Sequence, residues 1–268
     1  MLKDLEVSIL EAIYYIVISL IGLVAGILGS MFGLGGGFLI VPLLSLLGVD
    51  IKIAIGTSAT AIFFNSLSAT ISYSRSRLVI FRAGIFISLV AIFSAYLGAS
   101  LTRVVETTTL KLIFGSVLIL LALRMILEEI RRDTRRSVKE SDFKWSLGSY
   151  MKLLFGGFLS GLVAGLLGVG GGVINVPLLT YIGFTIHQAV ATSSMAITIT
   201  TLSSAATHYT LGHLDHLLMI LLTPTLVIGA QIGASIAKRT RPRRLRIGFS
   251  LVLIAIATRL VLEALHIL

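Results

Sequence analysis

The feature that most constrains this chain is a glycine-rich interruption of apolar sequence, and it is written twice. The first copy is Gly33-Leu34-Gly35-Gly36-Gly37, followed by a short apolar run, 38–47, that contains Val41-Pro42. The second is Gly168-Val169-Gly170-Gly171-Gly172, followed by 173–181 with Val176-Pro177. Each glycine lowers helix propensity by about 1 kcal/mol relative to alanine, so a helix entering the triplet breaks there. At about 1.5 Å per residue, the run that follows crosses only about half of a ~30 Å hydrocarbon core. Inside a bilayer such a break is tolerated only where protein or a water-filled cavity covers the freed backbone groups. Two breaks at matching positions of two halves are the sequence pointer to a transport site.

Composition supports a membrane setting. Charged residues make up 13% of the 268 positions and the mean hydropathy is +1.02, whereas soluble domains carry about 25% charge. The net charge of +10 raises the question of nucleic acid. The basic residues are confined to loops between apolar runs, however, which is the pattern of a multi-pass protein and not of a nucleic-acid surface. The absence of cysteine excludes disulfide and thiolate chemistry, and no spacing calls for a metal or cofactor. The first residues, Met1 to Glu6, lack the basic start of a signal peptide and are expected to lead into a retained first helix.

Ten helical segments are predicted: 8–31, 38–47, 51–74, 79–102, 108–130, 148–167, 173–181, 186–211, 214–237 and 247–267. The polar stretch 131–150 holds the only tryptophan, Trp145. From the glycine triplet onward the second half repeats the first at an offset of 135, pairing Pro42 with Pro177, Thr57-Ser58 with Thr192-Ser193, and Gly98 with Gly233. Ahead of the triplet, Gly22-Leu23-Val24-Ala25-Gly26 matches Gly161 to Gly165 at 139, which predicts four extra residues in the first half. Loops after segments three, five and nine, with their flanks (Arg124 among them), hold 17 of the 22 Lys and Arg and are assigned to the cytoplasm, leaving both termini external. Five segments per half is an odd number, so the second half is expected to insert upside down. The expected fold is an all-α polytopic protein of the cytoplasmic membrane, one integral unit of two inverted five-segment repeats, 8–131 and 148–268. A cytoplasmic linker, 132–147, joins them.

Two Gly-x-Gly-Gly-Gly-x4-Pro motifs, each after a Gly-rich first span and each followed by Thr-Ser, resemble the TauE/SafE sulfite exporter family of membrane transporters. The resemblance covers about 21–105 and 160–259. It implies transport of small sulfur-containing anions such as sulfite, sulfoacetate or other organosulfonates, and in some members sulfate or thiosulfate.

The residues give a chemical reason for an anion. A helix that starts at a break presents unpaired N–H groups and a partial positive charge, and an oxyanion satisfies both. The expected contacts are Gly35, Gly36, Gly37 and Phe38 with Gly170, Gly171, Gly172 and Val173, where missing side chains would let a sulfonate approach the backbone. Packing alone is the simpler explanation of such glycines. Ser58, Asn65, Ser68 and Ser72 share one helical face, as do Ser193, Thr200, Ser203 and Thr207. Of these the strongest candidates are Thr57, Ser58, Asn65, Thr192, Ser193 and Thr200, joined by Asn175 where the first half has Ile40. Hydroxyls of this kind also bond their own helix or glue neighbouring helices. No charged residue lies mid-span in segments three, four, eight or nine, which favours dipoles and hydroxyls over carboxylate-based ion coupling. His208 is the candidate for proton coupling. The glycine runs lack the Lys-Ser/Thr ending of a phosphate-binding loop and the third glycine of a dinucleotide fingerprint.

The expected function is secondary transport of a small anion by alternating access, with export as the direction. A channel-like facilitator, or uptake of sulfate or thiosulfate, is the alternative. Enzymatic chemistry finds no acid–base pair or dyad within the spans. The expected partners are a small anion and the lipid bilayer, not nucleic acid, and small-residue spacings permit a homodimer.

Overall fold

A computed structural model describes residues 2–130, 145–239 and 243–265. Among them ten α-helices follow one another: α1 Leu2–Phe32, α2 Gly37–Leu46, α3 Ile51–Arg75, α4 Phe81–Leu101, α5 Thr107–Ile130, α6 Leu147–Leu167, α7 Gly172–Ile182, α8 Ile186–Thr210, α9 His216–Arg239 and α10 Arg243–Ala264. Seven are long and apolar enough to cross a membrane, while α2 and α7, at 10 and 11 residues, are not. The chain is an all-α, multi-pass membrane protein. Most of the linker, including Arg131, Arg132, Arg135, Arg136, Lys139 and Lys144, lies outside the described residues. At its end Trp145 stacks on Tyr150, and the Arg82 guanidinium lies 4.8 Å and 5.3 Å from the two ring centres.

Helix starts follow local chemistry. The Asp50 carboxylate accepts from the Lys52 N–H at 2.8 Å and from Ile53 at the head of α3. Thr185 and Gln188 form a reciprocal capping box at the head of α8. α3 and α8 are the most deeply enclosed of the long helices and carry most of the buried hydroxyls. They pack on each other at the centre, with α3 against α9 and α8 against α4.

The halves are interleaved. α1 packs along α9, α6 packs along α4, and α5 pairs with α10. Glycines make the first two contacts backbone-close: Gly22 faces Leu222 and Thr225, Gly26 faces Leu226, Gly157 faces Ile87, and Gly161 faces Ala91. These contacts relate Gly22 to Gly157 and Gly26 to Gly161, an offset of 135. The four-residue insertion expected ahead of the triplet is therefore absent. A glycine stripe repeats every four residues, so a sequence match slides by one turn without leaving the helix face, and only the partner helix fixes the phase.

At Gly161 a side chain would meet the Ala91 carbonyl and Ser94. Gly161→Val is expected to force α6 off α4 at a cost of about 1–3 kcal/mol, lowering the midpoint of thermal unfolding in detergent. Gly148→Ala, where the nearest atom is 3.8 Å away, should leave that midpoint unchanged.

Candidate functional site

The two glycine breaks cross one another at the centre of the fold. Gly36 and Gly171 cap α2 and α7 with φ of 103° and 78°, a left-handed backbone that side chains disfavour. Neither cap supplies a side-chain hydrogen bond, so the first turns of both short helices start without one. The α-carbon of Gly37 lies against the Gly168 carbonyl, and that of Gly172 against the Gly33 carbonyl. Gly35 and Gly170 are flanked by the same two side chains, Ile62 and Ile197. Residues 29–42 and 167–172 are all buried.

Four carbonyl oxygens of the crossing are held by side-chain donors. Ser58 Oγ donates to Gly168 O at 3.0 Å, and Ser193 Oγ donates to Gly33 O at 2.7 Å. Asn65 Nδ2 donates to Gly35 O at 2.8 Å, and Ser160 Oγ to Gly171 O at 3.1 Å. Carbonyls occupied in this way offer less negative charge to a guest, so the helix N-termini dominate the local field. That balance suits an anion.

The prolines sharpen it. Pro177 has no N–H to give the carbonyl four residues back, which leaves Val173 O without its helical partner. Arg124 Nη1, from α5, donates to that oxygen at 3.3 Å. A guanidinium thus stands at the first turn of α7, adding fixed positive charge to the dipole. Sequence reading assigned Arg124 to a cytoplasmic flank. The signal that finds it is the carbonyl freed by proline, whose partner only the fold reveals.

The expected polar lining divides in two. Ser58, Ser193 and Asn65 reach the crossing. Thr57 and Thr192 instead serve other helices: Thr57 Oγ1 accepts from the Asp215 N–H at 3.0 Å, ahead of α9, and Thr192 Oγ1 accepts from the Ile80 N–H at 2.9 Å, ahead of α4. Thr200 donates to Ala196 O of its own helix at 2.8 Å. Ser68 and Ser203 bond across to Val227 O and Ile92 O, and Gln231 Nε2 donates to Ser68 Oγ and O. The room that missing side chains were expected to leave at Gly36, Gly37, Gly171 and Gly172 is filled by protein: Ala25 O, Gly168 O, Ser160 and Gly33 O respectively. Those glycines first of all allow backbone to meet backbone. Asn175 is fully buried on α7, and neither its Nδ2 nor its Oδ1 has a partner among the described residues.

His208 has a structural bond. Its Nε2 donates to Gly165 O at 2.8 Å, in the place where Tyr73 OH, 135 residues earlier, donates to Ser30 O at 2.8 Å. With Nε2 as donor, Nδ1 of the neutral ring accepts, and His213 Nδ1 at 3.3 Å is its donor. Burial holds His213 below the ordinary histidine range, with Lys52 acting in the same direction and Asp50 opposing it.

Comparison with known proteins agrees with this architecture. The family profile described as sulfite exporter TauE/SafE matches residues 18–260. The probable membrane transporter protein YunE of Bacillus subtilis (strain 168) is 28% identical over 268 residues, covering 93% of this chain and 98% of its own. The probable membrane transporter protein MJ0441 of Methanocaldococcus jannaschii is 27% identical over 250 residues, covering 87% and 90%. A probable membrane transporter protein of Haemophilus influenzae is 26% identical over 265 residues, covering 91% and 97%. No solved structure matches the chain. The chain belongs to the sulfite exporter TauE/SafE family of membrane transporters.

Proposed function

We propose that this transporter is a secondary carrier for small sulfur oxyanions, namely sulfite, sulfoacetate or other organosulfonates, held where the two glycine breaks cross. One observation carries the reading: the crossing joins the N-termini of two half-helices while Ser58, Ser193, Asn65 and Ser160 occupy four of its carbonyl oxygens. Arg124, bonded to Val173 O, adds a fixed charge at the first turn of α7. The two halves act as inverted repeats, with the basic loops in the cytoplasm and both termini outside. Transport follows from rocking one half against the other about the buried crossing, and the basic cytoplasmic side collects anions for export.

A carrier is distinguished from a pore by counterflow. Proteoliposomes preloaded with unlabelled sulfite or sulfoacetate should take up the labelled anion faster than empty ones. Equal rates would favour a channel-like facilitator.

Removing a carbonyl cap exposes oxygen lone pairs to the guest. Ser193→Ala and Ser58→Ala should each weaken oxyanion binding, measured by calorimetry on the purified protein, roughly tenfold for about 1.4 kcal/mol. Thr200→Val, which removes only a bond within α8, should stay within about twofold of the parent.

A further inference from the structure

The crossing is close to symmetric in its backbone contacts but not in its polar side chains. At the position 135 residues before Asn175 stands Ile40, and 135 residues after Asn65 stands Thr200. Thr200 satisfies its hydroxyl within its own helix. Ser160, matched by Ala25, already spends its hydroxyl on Gly171 O, which leaves two unmatched amides, both fully buried.

They also lie on one side. Asn65 is three residues beyond Ile62, the side chain that flanks the glycines, on α3 as it runs toward Arg75. Asn175 is three residues beyond Gly172 on α7, which leads to the head of α8 and to Thr192, the cap of Ile80 beside Arg82. Each step is about 4.5 Å along a helix axis, so both amides lie to the basic side of the glycines they follow. Gly172, Asn175 and Val176 form the buried face of α7, and Val176 lies against Gly33 of the opposite break. Helical side chains lean toward the N-terminus, which aims the Asn175 amide back at the glycines.

Their unused atoms specify a guest. The Asn65 Nδ2 bond to Gly35 O fixes that amide's orientation, because the flipped form would set oxygen against oxygen. Asn65 Oδ1 is then a buried acceptor without a donor, and Asn175 adds a second acceptor together with its own N–H groups. The N–H groups suit an oxyanion. Two open acceptors do not, since a fully deprotonated anion brings no hydrogen to either. Ile40 and Thr200 on the opposite side make no such demand.

We propose that Asn175 and Asn65 select oxyanions that carry a hydrogen-bond donor of their own, an O–H or N–H, oriented toward the basic side. This deepens the oxyanion reading above and rests on it. A hydroxy- or aminosulfonate, or a singly protonated oxyanion, fits these groups. An alkylsulfonate of equal size leaves the two amide oxygens unpaired.

The test compares 2-hydroxyethanesulfonate with 1-propanesulfonate, two monoanions of similar shape that differ by a terminal O–H against CH3. Calorimetric titration of the full-length protein in lipid nanodiscs should give tighter binding of the hydroxylated anion, on the order of tenfold or more. Asn175→Leu should reduce that ratio to about twofold or less, because losing the amide weakens the hydroxylated anion by more than it weakens 1-propanesulfonate. Because the replaced amide has no partner among the described residues, the variant should unfold at or above the parent temperature, which controls for folding. Equal binding of the two anions, or an unchanged ratio in Asn175→Leu, overturns the selection by these amides alone. Failure of both anions to bind the parent protein overturns the oxyanion reading as well.

Discussion

The structure depends on two backbone loops touching at the centre of a helical membrane protein. Gly37 rests on the Gly168 carbonyl and Gly172 on the Gly33 carbonyl, contacts that no side chain could occupy. Loops of this kind are costly in apolar surroundings unless their polar groups find partners. Here Ser58 and Ser193 reach across from α3 and α8, each to the break of the other half. The same bonds tie the halves together and settle which backbone atoms remain available to a guest. On the proposed reading, packing and binding share one set of residues.

The rest of the fold holds that crossing in place. Thr57 and Thr192 link the central helices to the starts of α9 and α4, and Tyr73 and His208 fasten them to α1 and α6. α1 lies along α9 and α6 along α4, so each half is completed by a helix of the other. Rigid-body movement in such an arrangement has to proceed through the small-residue seams, where Gly22, Gly26, Gly157 and Gly161 meet backbone. Close backbone contact without large interdigitated side chains favours sliding or rocking over repacking.

Much of this architecture was legible in the sequence, for definite reasons. Glycine triplets inside apolar runs break helices whatever surrounds them, and a register of 135 from Pro42/Pro177 through Gly98/Gly233 exposes the duplication. What sequence reading could not supply was partnership. Thr57-Ser58 and Thr192-Ser193 stood out as pairs, yet only Ser58 and Ser193 meet the glycines, because adjacent helical residues face different neighbours. The four-residue insertion arose because a glycine stripe looks alike one turn away, and the facing helix decides between phases. Arg124 was counted among topology-setting charges, since nothing local says that Pro177 frees the carbonyl it reaches. The glycines illustrate the same limit: their spacing announces a break, but whether the space beside them belongs to a guest or to the opposite loop is decided by the fold.

The most direct measurement is crystallographic location of a heavy oxyanion. Crystals of the protein grown with selenite, collected at the selenium absorption edge, would place the anion by its anomalous scattering. A peak within hydrogen-bonding reach of the Gly37 or Gly172 N–H groups is the predicted result. A peak elsewhere in the protein, with the crossing of the glycine breaks occupied by no anion, would contradict it.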